Sequence, residues 1–211
     1  MLVYGHRGSP RTHRENTAAG VAAAFDLGAY GVEVDVRRTG EGLLVCSHDP
    51  LSGEPVDTLA EVLDAARGRA IVEVKNQPSQ PDFDAPVEAT AHLLVDFLKG
   101  RDDDVTVSSF DWFAIEVARD AGLRTAFLTP PGIALDAALA YVVEAGHAEC
   151  HPHWSAVLEA PATVARAHDA GKAVVCWTVD DRDVVLPLRD AGVDAVITND
   201  VAGVRGYLDD D

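Results

Sequence analysis

Val105-Thr106-Val107-Ser108-Ser109, then Trp112 to Ala121, then Gly122, then Arg124-Thr125-Ala126-Phe127-Leu128 is the stretch from which the fold can be read. The first run reads as a short strand and Trp112 to Ala121 as a helix. Gly122 closes that helix in the left-handed conformation that glycine adopts without strain, and Arg124 to Leu128 starts the next strand. The same rhythm continues downstream. A helix over 133–145 follows Pro130-Pro131-Gly132, then come a weak strand at 148–150 and a helix over 161–170 closed by Gly171. A strand over 173–178, a helix over 182–191 ended by Gly192, a strand over 195–198 and a helix over 201–208 complete the chain.

Upstream, the units are less regular. Leu2 to Gly5 is a short apolar strand, and Thr17 caps a helix over 18–27. In Val32-Glu33-Val34-Asp35-Val36 acids alternate with valines, so Glu33 and Asp35 share one face of a strand. Thr39 to Gly42 is a turn, and Leu43 to Ser47 returns as the second strand of a hairpin. Thr58, with Glu61 at the capping-box position, starts a helix over 59–66. A strand over 70–75 and, after a Pro-rich loop, a helix over 86–97 follow.

With the returning hairpin strand set aside, eight strand-then-helix units remain. Alternation of this kind builds a parallel sheet covered by helices, and eight repeats predict closure into a (β/α)₈ TIM barrel; an open doubly wound sheet is the alternative. The 211 residues are expected to form one domain, residues 1–211. Barrel active sites lie at the C-terminal ends of the strands, and His6, Glu33, Asp35, His48, Glu73 and Lys75 all fall at or near such ends.

Composition narrows the function. The net charge is −18, which argues against nucleic-acid binding or docking on an anionic membrane. Such a charge fits adaptation to high salt, where screening removes self-repulsion, and fits equally an acidic, arginine-preferring proteome. No run reaches the roughly eighteen apolar residues of a membrane helix, so stable membrane insertion is not expected. The first residues run straight into His6 without a basic leader, and Cys46, Cys150 and Cys176 sit in apolar, strand-like segments. Reduced, buried thiols in a cytoplasmic protein are the expectation. Oligomeric state is not legible.

The chemistry lies in the polar residues at the strand ends. Glu33, Asp35 and Glu73 face one another across neighbouring strands, and carboxylates that close repel unless a cation joins them. Oxygen-only ligands suit one hard divalent cation, Mg²⁺ or Ca²⁺. The alternative is a structural ion pair of Glu33 or Glu73 with Lys75 or Arg7. Zinc is disfavoured, because no Zn-type spacing is present. His6 and His48 lie on either side of the acids and suit a general acid and a general base. Arg7 can clamp a phosphate. His13, His92, His147 and His168 are expected on the surface, while His151 and His153 follow a weak strand and are placed either in the pocket or outside it. Ser47 lacks the turn of an activated nucleophile, and Trp177 either walls the pocket or fills the core.

Taken in order, His6-Arg7-Gly8, Glu15-Asn16-Thr17, Glu33-Val34-Asp35-Val36, Ser47-His48-Asp49, Glu73-Val74-Lys75, Val107-Ser108-Ser109-Phe110, Trp177-Thr178-Val179 and the run from Gly192 to Asp200 resemble the glycerophosphodiester phosphodiesterase family. The resemblance spans nearly the whole chain and implies a (β/α)₈ barrel that hydrolyses glycerophosphodiesters to glycerol 3-phosphate and an alcohol. It implies His6 and His48 as the acid/base pair, with Glu33, Asp35 and Glu73 on a divalent metal. Arg7, Glu15 and Lys75 would position phosphate and metal, and Trp177 would line the pocket. There are departures: Arg14 precedes Glu15 where the family commonly has Pro, and Asp180 follows Trp-Thr-Val where it often has Asn. The segment after Asp49 nearly lacks the subdomain that covers the site in many members. An open mouth follows, with room for a bulkier diester such as a lysophospholipid or an archaeal-type lipid head group. A related phosphodiesterase of the phospholipase C or D type and a non-catalytic phosphate-binding barrel are the rival readings.

Overall fold

A computed structural model describes residues 1–209; the expected domain span of 1–211 ends beyond them. In chain order the elements are β1 (Leu2–His6), α1 (Ala18–Asp26), β2 (Gly31–Arg38), β3 (Leu44–Cys46), α2 (Leu59–Asp64), β4 (Arg69–Val74) and α3 (Ala89–Leu98). They continue as β5 (Val105–Ser109), α4 (Trp112–Asp120), β6 (Arg124–Thr129), α5 (Leu135–Ala145), β7 (Glu149–Pro152), α6 (Trp154–Glu159) and α7 (Ala162–Asp169). The last are β8 (Ala173–Cys176), α8 (Arg182–Asp190), β9 (Ala195–Thr198) and α9 (Val201–Asp209).

The sheet runs β1-β9-β8-β7-β6-β5-β4-β2 and closes through β1–β2, so eight parallel strands form the predicted ring. The strand β3 lies outside it, antiparallel to β2 with Val36 opposite Cys46, as the hairpin predicts. Alternation explains both faces. Val32, Val34 and Val36 pack against the helices in the outer core, while Glu33 and Asp35 point into the barrel. Inside, Tyr4, Ile71, Val175, Ala195 and Ile197 fill a separate apolar layer under the mouth. Burying each large aliphatic side chain contributes about 1.5–3 kcal/mol, so both layers hold the ring closed.

The caps behave as read. The Thr17 hydroxyl accepts from the Gly20 amide, and Thr58 and Glu61 form a complete capping box. Three features differ from expectation. α3 starts at Ala89 rather than near Pro86, because Glu88 sits in the left-handed region at φ 52°. α6, a single short helix between β7 and α7, carries no strong start signal; its cap is the unusual His153, which accepts from the Ser155 amide. His147 is fully buried rather than on the surface, because Thr125 on the neighbouring strand engages its Nδ1 at 2.8 Å and burial holds its pKa down at about 4.

Residues 47–58, between β3 and α2, contain no helix and no strand, so the segment after His48 adds no covering subdomain. Among the described residues no helix is long and apolar enough to cross a membrane. All three cysteines are free and buried.

Candidate active site

Sheet register assembles the site. β1 and β2 align His6 with Glu33, and β2 and β4 align Asp35 with Glu73. Residues opposite one another on adjacent strands of one face come into contact, so the parallel ladder brings a histidine and three acids together at the mouth. Ligand oxygens of Glu33, Asp35 and Glu73 lie within 4.8 Å of one another, and all three residues are buried.

The turn after β1 is built for this purpose. Arg7 adopts φ 54° and Gly8 φ 88°, a reversal that aims the Arg7 amide at Glu33 Oε2, 3.1 Å away. Strain of this kind in a non-glycine residue persists only where its surroundings enforce it. Gly5 is required by space: a Cβ there would lie 2.3 Å from the Gly8 carbonyl oxygen and 2.9 Å from Ala24 Cβ. The Arg7 guanidinium binds Glu15 at 3.0 Å and stands 3.2 Å from Asp35. Asn16, also left-handed at φ 57°, donates to Asp35 Oδ2 at 2.8 Å and accepts from the Asp35 amide. The sequence reading passed over Asn16, although it stands inside the quoted Glu-Asn-Thr motif.

Electrostatics show what this cluster needs. Burial, together with Asp35 and Glu73, pushes the Glu33 carboxyl well above the usual carboxylate range. Burial and Asp35 raise Glu73 to about 7, against the pull of Lys75. Burial acts on Asp35 in the same direction, but Lys75, Arg7 and Asn16 outweigh it and hold that group below its ordinary value. The ion-pair reading holds for Glu73, whose Oε1 lies 2.7 Å from Lys75 Nζ; the same ammonium is 3.3 Å from Asp35. It does not account for Glu33, whose Oε1 is buried without a hydrogen-bond partner. With all groups ionised, the three carboxylates exceed Arg7 and Lys75 by one negative charge. An oxygen-only set with an unpartnered buried oxygen and excess negative charge fits a hard divalent cation.

The histidines are oriented by groups that carry no reactive role themselves. Asp180 accepts from the Asn199 side-chain amide, the Asn199 backbone amide and the Thr198 hydroxyl. A carboxylate can only accept, so the Asn199 NH₂ faces Asp180 and its Oδ1 faces His6 Nδ1, 2.8 Å away. His6 therefore carries its proton on Nδ1 and presents the Nε2 lone pair to the cluster, 3.9 Å from Glu33. Burial and the Arg7 charge lower the His6 pKa and favour that basic form. Asp180, noted in the sequence only as a departure, is thus the anchor of this chain, and Asn199 was missed. Asn199 stands inside the quoted run from Gly192 to Asp200, but its pairing with His6 spans most of the chain's length.

His48 lies beyond β3. The buried Arg37 side chain donates to its carbonyl oxygen at 2.6 Å, and its Nδ1 is 2.8 Å from Asp49 Oδ1. Ser47 bonds the Asp49 carbonyl and stands apart from the chemistry.

These groups open on a cavity of about 100 Å³ lined by His6, Arg7, Glu33, His48, Glu73 and Lys75. Its opposite wall is Ser108, Phe110, Leu128, His151, Trp177 and Ile197. Trp177 is a pocket wall rather than core; its indole N–H donates to the His151 carbonyl at 3.0 Å. His151 lines the cavity and is held by Glu149 at 2.8 Å, whereas His153 packs behind Trp177. Glu15 is half exposed and reaches the site only through Arg7. Every other residue singled out in the sequence as a site candidate lines the cavity or contacts the acidic cluster.

Comparison with known proteins places this arrangement. The chain matches the glycerophosphoryl diester phosphodiesterase family over residues 6–67 and 49–202. It is 27% identical over 232 residues to the glycerophosphodiester phosphodiesterase of Caldanaerobacter subterraneus subsp. tengcongensis, covering 94% of each chain. Among solved structures, the glycerophosphodiester phosphodiesterase from Parabacteroides distasonis superposes with a TM-score of 0.86 at 23% identity, over 99% of this chain and 97% of that one. A phosphodiesterase from Oleispira antarctica, solved with the product sn-glycerol-3-phosphate, superposes with a TM-score of 0.84 at 23% identity and the same coverage. At such identity the structures establish the shared fold, and the family match carries the assignment. The chain belongs to the glycerophosphoryl diester phosphodiesterase family, a family of phosphoric diester hydrolases.

Proposed function

We propose that this protein, acting as a single unit over residues 1–211, hydrolyses glycerophosphodiesters to glycerol 3-phosphate and an alcohol with a divalent cation, Mg²⁺ or Ca²⁺. The observation that carries the reading is the placement of two histidines, His6 and His48, across a buried cluster of three carboxylates with one unpartnered oxygen. The family match and the product complex of the Oleispira antarctica relative support it.

Glu33, Asp35 and Glu73 would hold the cation. When bound, it offsets charge on the phosphoryl oxygens in the ground and transition states. Arg7, held by Glu15 and Asp35, presents its guanidinium to the phosphate. Lys75 favours the ionised forms of Asp35 and Glu73 in a buried site, and holds Asp35 below its ordinary value. His6, with Nδ1 fixed by Asn199, takes a proton from the attacking oxygen at Nε2. His48, with Nδ1 directed to Asp49, delivers a proton from Nε2 to the departing alkoxide. Trp177 and the apolar wall exclude water from the far side of the cavity.

Substituting His6→Ala and His48→Ala tests the roles. Each is expected to lower kcat at least about 100-fold with circular dichroism and melting unchanged. A leaving group that needs no protonation, such as p-nitrophenolate, should recover activity in His48→Ala and not in His6→Ala. Near-normal turnover in either variant removes its assigned role.

A further inference from the structure

The exposed Phe and Trp side chains among the described residues are Phe83, Trp112 and Phe113, and all three line one groove. It has a volume of about 220 Å³ and lies on the catalytic face, between the loop after β4 and the start of α4. Trp112 is 53% exposed and Phe113 46%, an unusual display for an acidic chain with only three Trp and six Phe. Contiguous exposed aromatic surface of this kind marks a binding site more often than chance packing.

Two connections join the groove to the catalytic cavity. Phe110 is a wall of both, and it packs edge-on against Trp177 at 5.4 Å. Lys75, in the cavity, is followed directly by Asn76, in the groove. Asn76 donates to Asp111 and Glu88, so the groove wall is fixed from beneath. The groove therefore begins where the cavity ends. The cavity suits a small polyol phosphate, and a larger part of a diester that leaves over Phe110 passes directly into the groove.

The groove's chemistry selects what can lie in it. No Lys or Arg lines it, so it offers nothing to a second anionic group. Its only charged lining residue, Asp111, already accepts from Asn76 and from the Phe113 amide. Apart from the neutral Gln77, what remains is apolar surface: Phe83, Phe110, Trp112 and Phe113, with Pro78 and Ala85. The segment 47–58 places no subdomain over the mouth that would close this exit.

We propose that this groove is a subsite for a hydrocarbon chain, and that the enzyme's substrates include phosphodiesters bearing a single alkyl or acyl chain, of the lysophospholipid class. This deepens the proposed hydrolase function and rests on it for turnover, though not for binding. The chain lies along Phe110, Phe83, Trp112 and Phe113, with the phosphate at Arg7 and the acidic cluster.

The test uses hexyl-, octyl- and decylphosphocholine, each below its micelle concentration, with binding read by calorimetry. Wild-type Kd is expected to tighten roughly two- to fourfold per added methylene, the range from partial to full burial. The double variant Trp112→Ser/Phe113→Ser, at exposed positions, should flatten that dependence. Phe83→Ser, in the loop after β4 and away from α4, should weaken it and guards against a folding defect in the first. In turnover, the double variant should lose about tenfold or more in kcat/KM on a short-chain lysophosphatidylcholine, through KM, and keep its kcat/KM on glycerophosphocholine. Chain-length-independent binding, equal losses on both substrates, or self-association that the substitutions abolish without a chain-length gradient would each overturn the proposal. If wild type binds with the gradient and hydrolyses neither substrate, the subsite stands and the hydrolase reading falls.

Discussion

Lys75→Met is the perturbation that most directly probes the charge balance of the site. The Lys75 side chain is 2% exposed, and its ammonium lies 2.7 Å from Glu73 and 3.3 Å from Asp35. Methionine keeps much of the volume and removes the charge, leaving Arg7 alone against three buried carboxylates. Removing one partner of a buried pair costs about 3–5 kcal/mol, because the remaining charge stays desolvated. In a chain of this size each kcal/mol moves Tm by roughly 2–4 °C, so the loss is about 6–20 °C in excess EDTA. The loss depends on pH. Glu73 is already raised to about 7, and without Lys75 it rises further. A carboxyl whose folded pKa is raised binds more protons in the native state, so its contribution is present at low pH and lost as pH rises through that value. The deficit should therefore be larger at pH 8 than at pH 6. A divalent cation replaces the missing charge, and at a hundred times Kd binding returns about 2.7 kcal/mol. Thermal melts of wild type and variant, at both pH values, with EDTA and with Mg²⁺ or Ca²⁺, read all of this. Equal melting in EDTA at pH 8, or a cation-induced shift no larger in the variant than in wild type, would show that Lys75 does not balance the buried carboxylates.

Further outcomes follow from the same geometry. Glu33→Gln should abolish hydrolysis and yet stabilise the protein in EDTA at pH 8 by roughly 1–2 kcal/mol in urea unfolding, because burial, Asp35 and Glu73 all disfavour that charge. The gain should vanish at low pH, where the raised Glu33 pKa leaves the wild-type carboxyl neutral. Asp180→Ala frees Asn199 to turn, so kcat should fall about 10–100-fold with KM little changed, and the pH–rate profile should shift on its acid side. Loss through KM alone would show that Asp180 serves binding instead of holding His6.

How much of this was legible beforehand depended on range. The ring was readable because each strand and each glycine-closed helix is a local pattern, and the acids were readable because alternation at Glu33 and Asp35 is local too. Register then did the rest, since Asp35 meets Glu73 only through the β2–β4 ladder. The role of Asn199 was not legible, although it stands in the quoted run from Gly192 to Asp200: its partner His6 is at the other end of the chain, and only the fold joins them. His147 was misread because a lone histidine in a loop looks solvated; its burial comes from Thr125 and Tyr141, on separate elements. The short α6 was missed because a histidine cap and a single turn and a half of helix carry almost no periodic signal. The aromatic groove was invisible for a related reason. Phe83 lies in the loop after β4 and Trp112 begins α4, and only the fold sets them side by side.

Under the proposed function the acidic cluster holds a divalent cation on which His6 and His48 depend to cleave a glycerophosphodiester. Release of glycerol 3-phosphate from glycerophosphocholine, followed in an enzyme-coupled assay, tests it directly. Turnover with Mg²⁺ or Ca²⁺, loss of turnover in excess EDTA, and recovery when the cation is restored are expected. Undiminished release of glycerol 3-phosphate after complete chelation, or no release with any divalent cation, would contradict it.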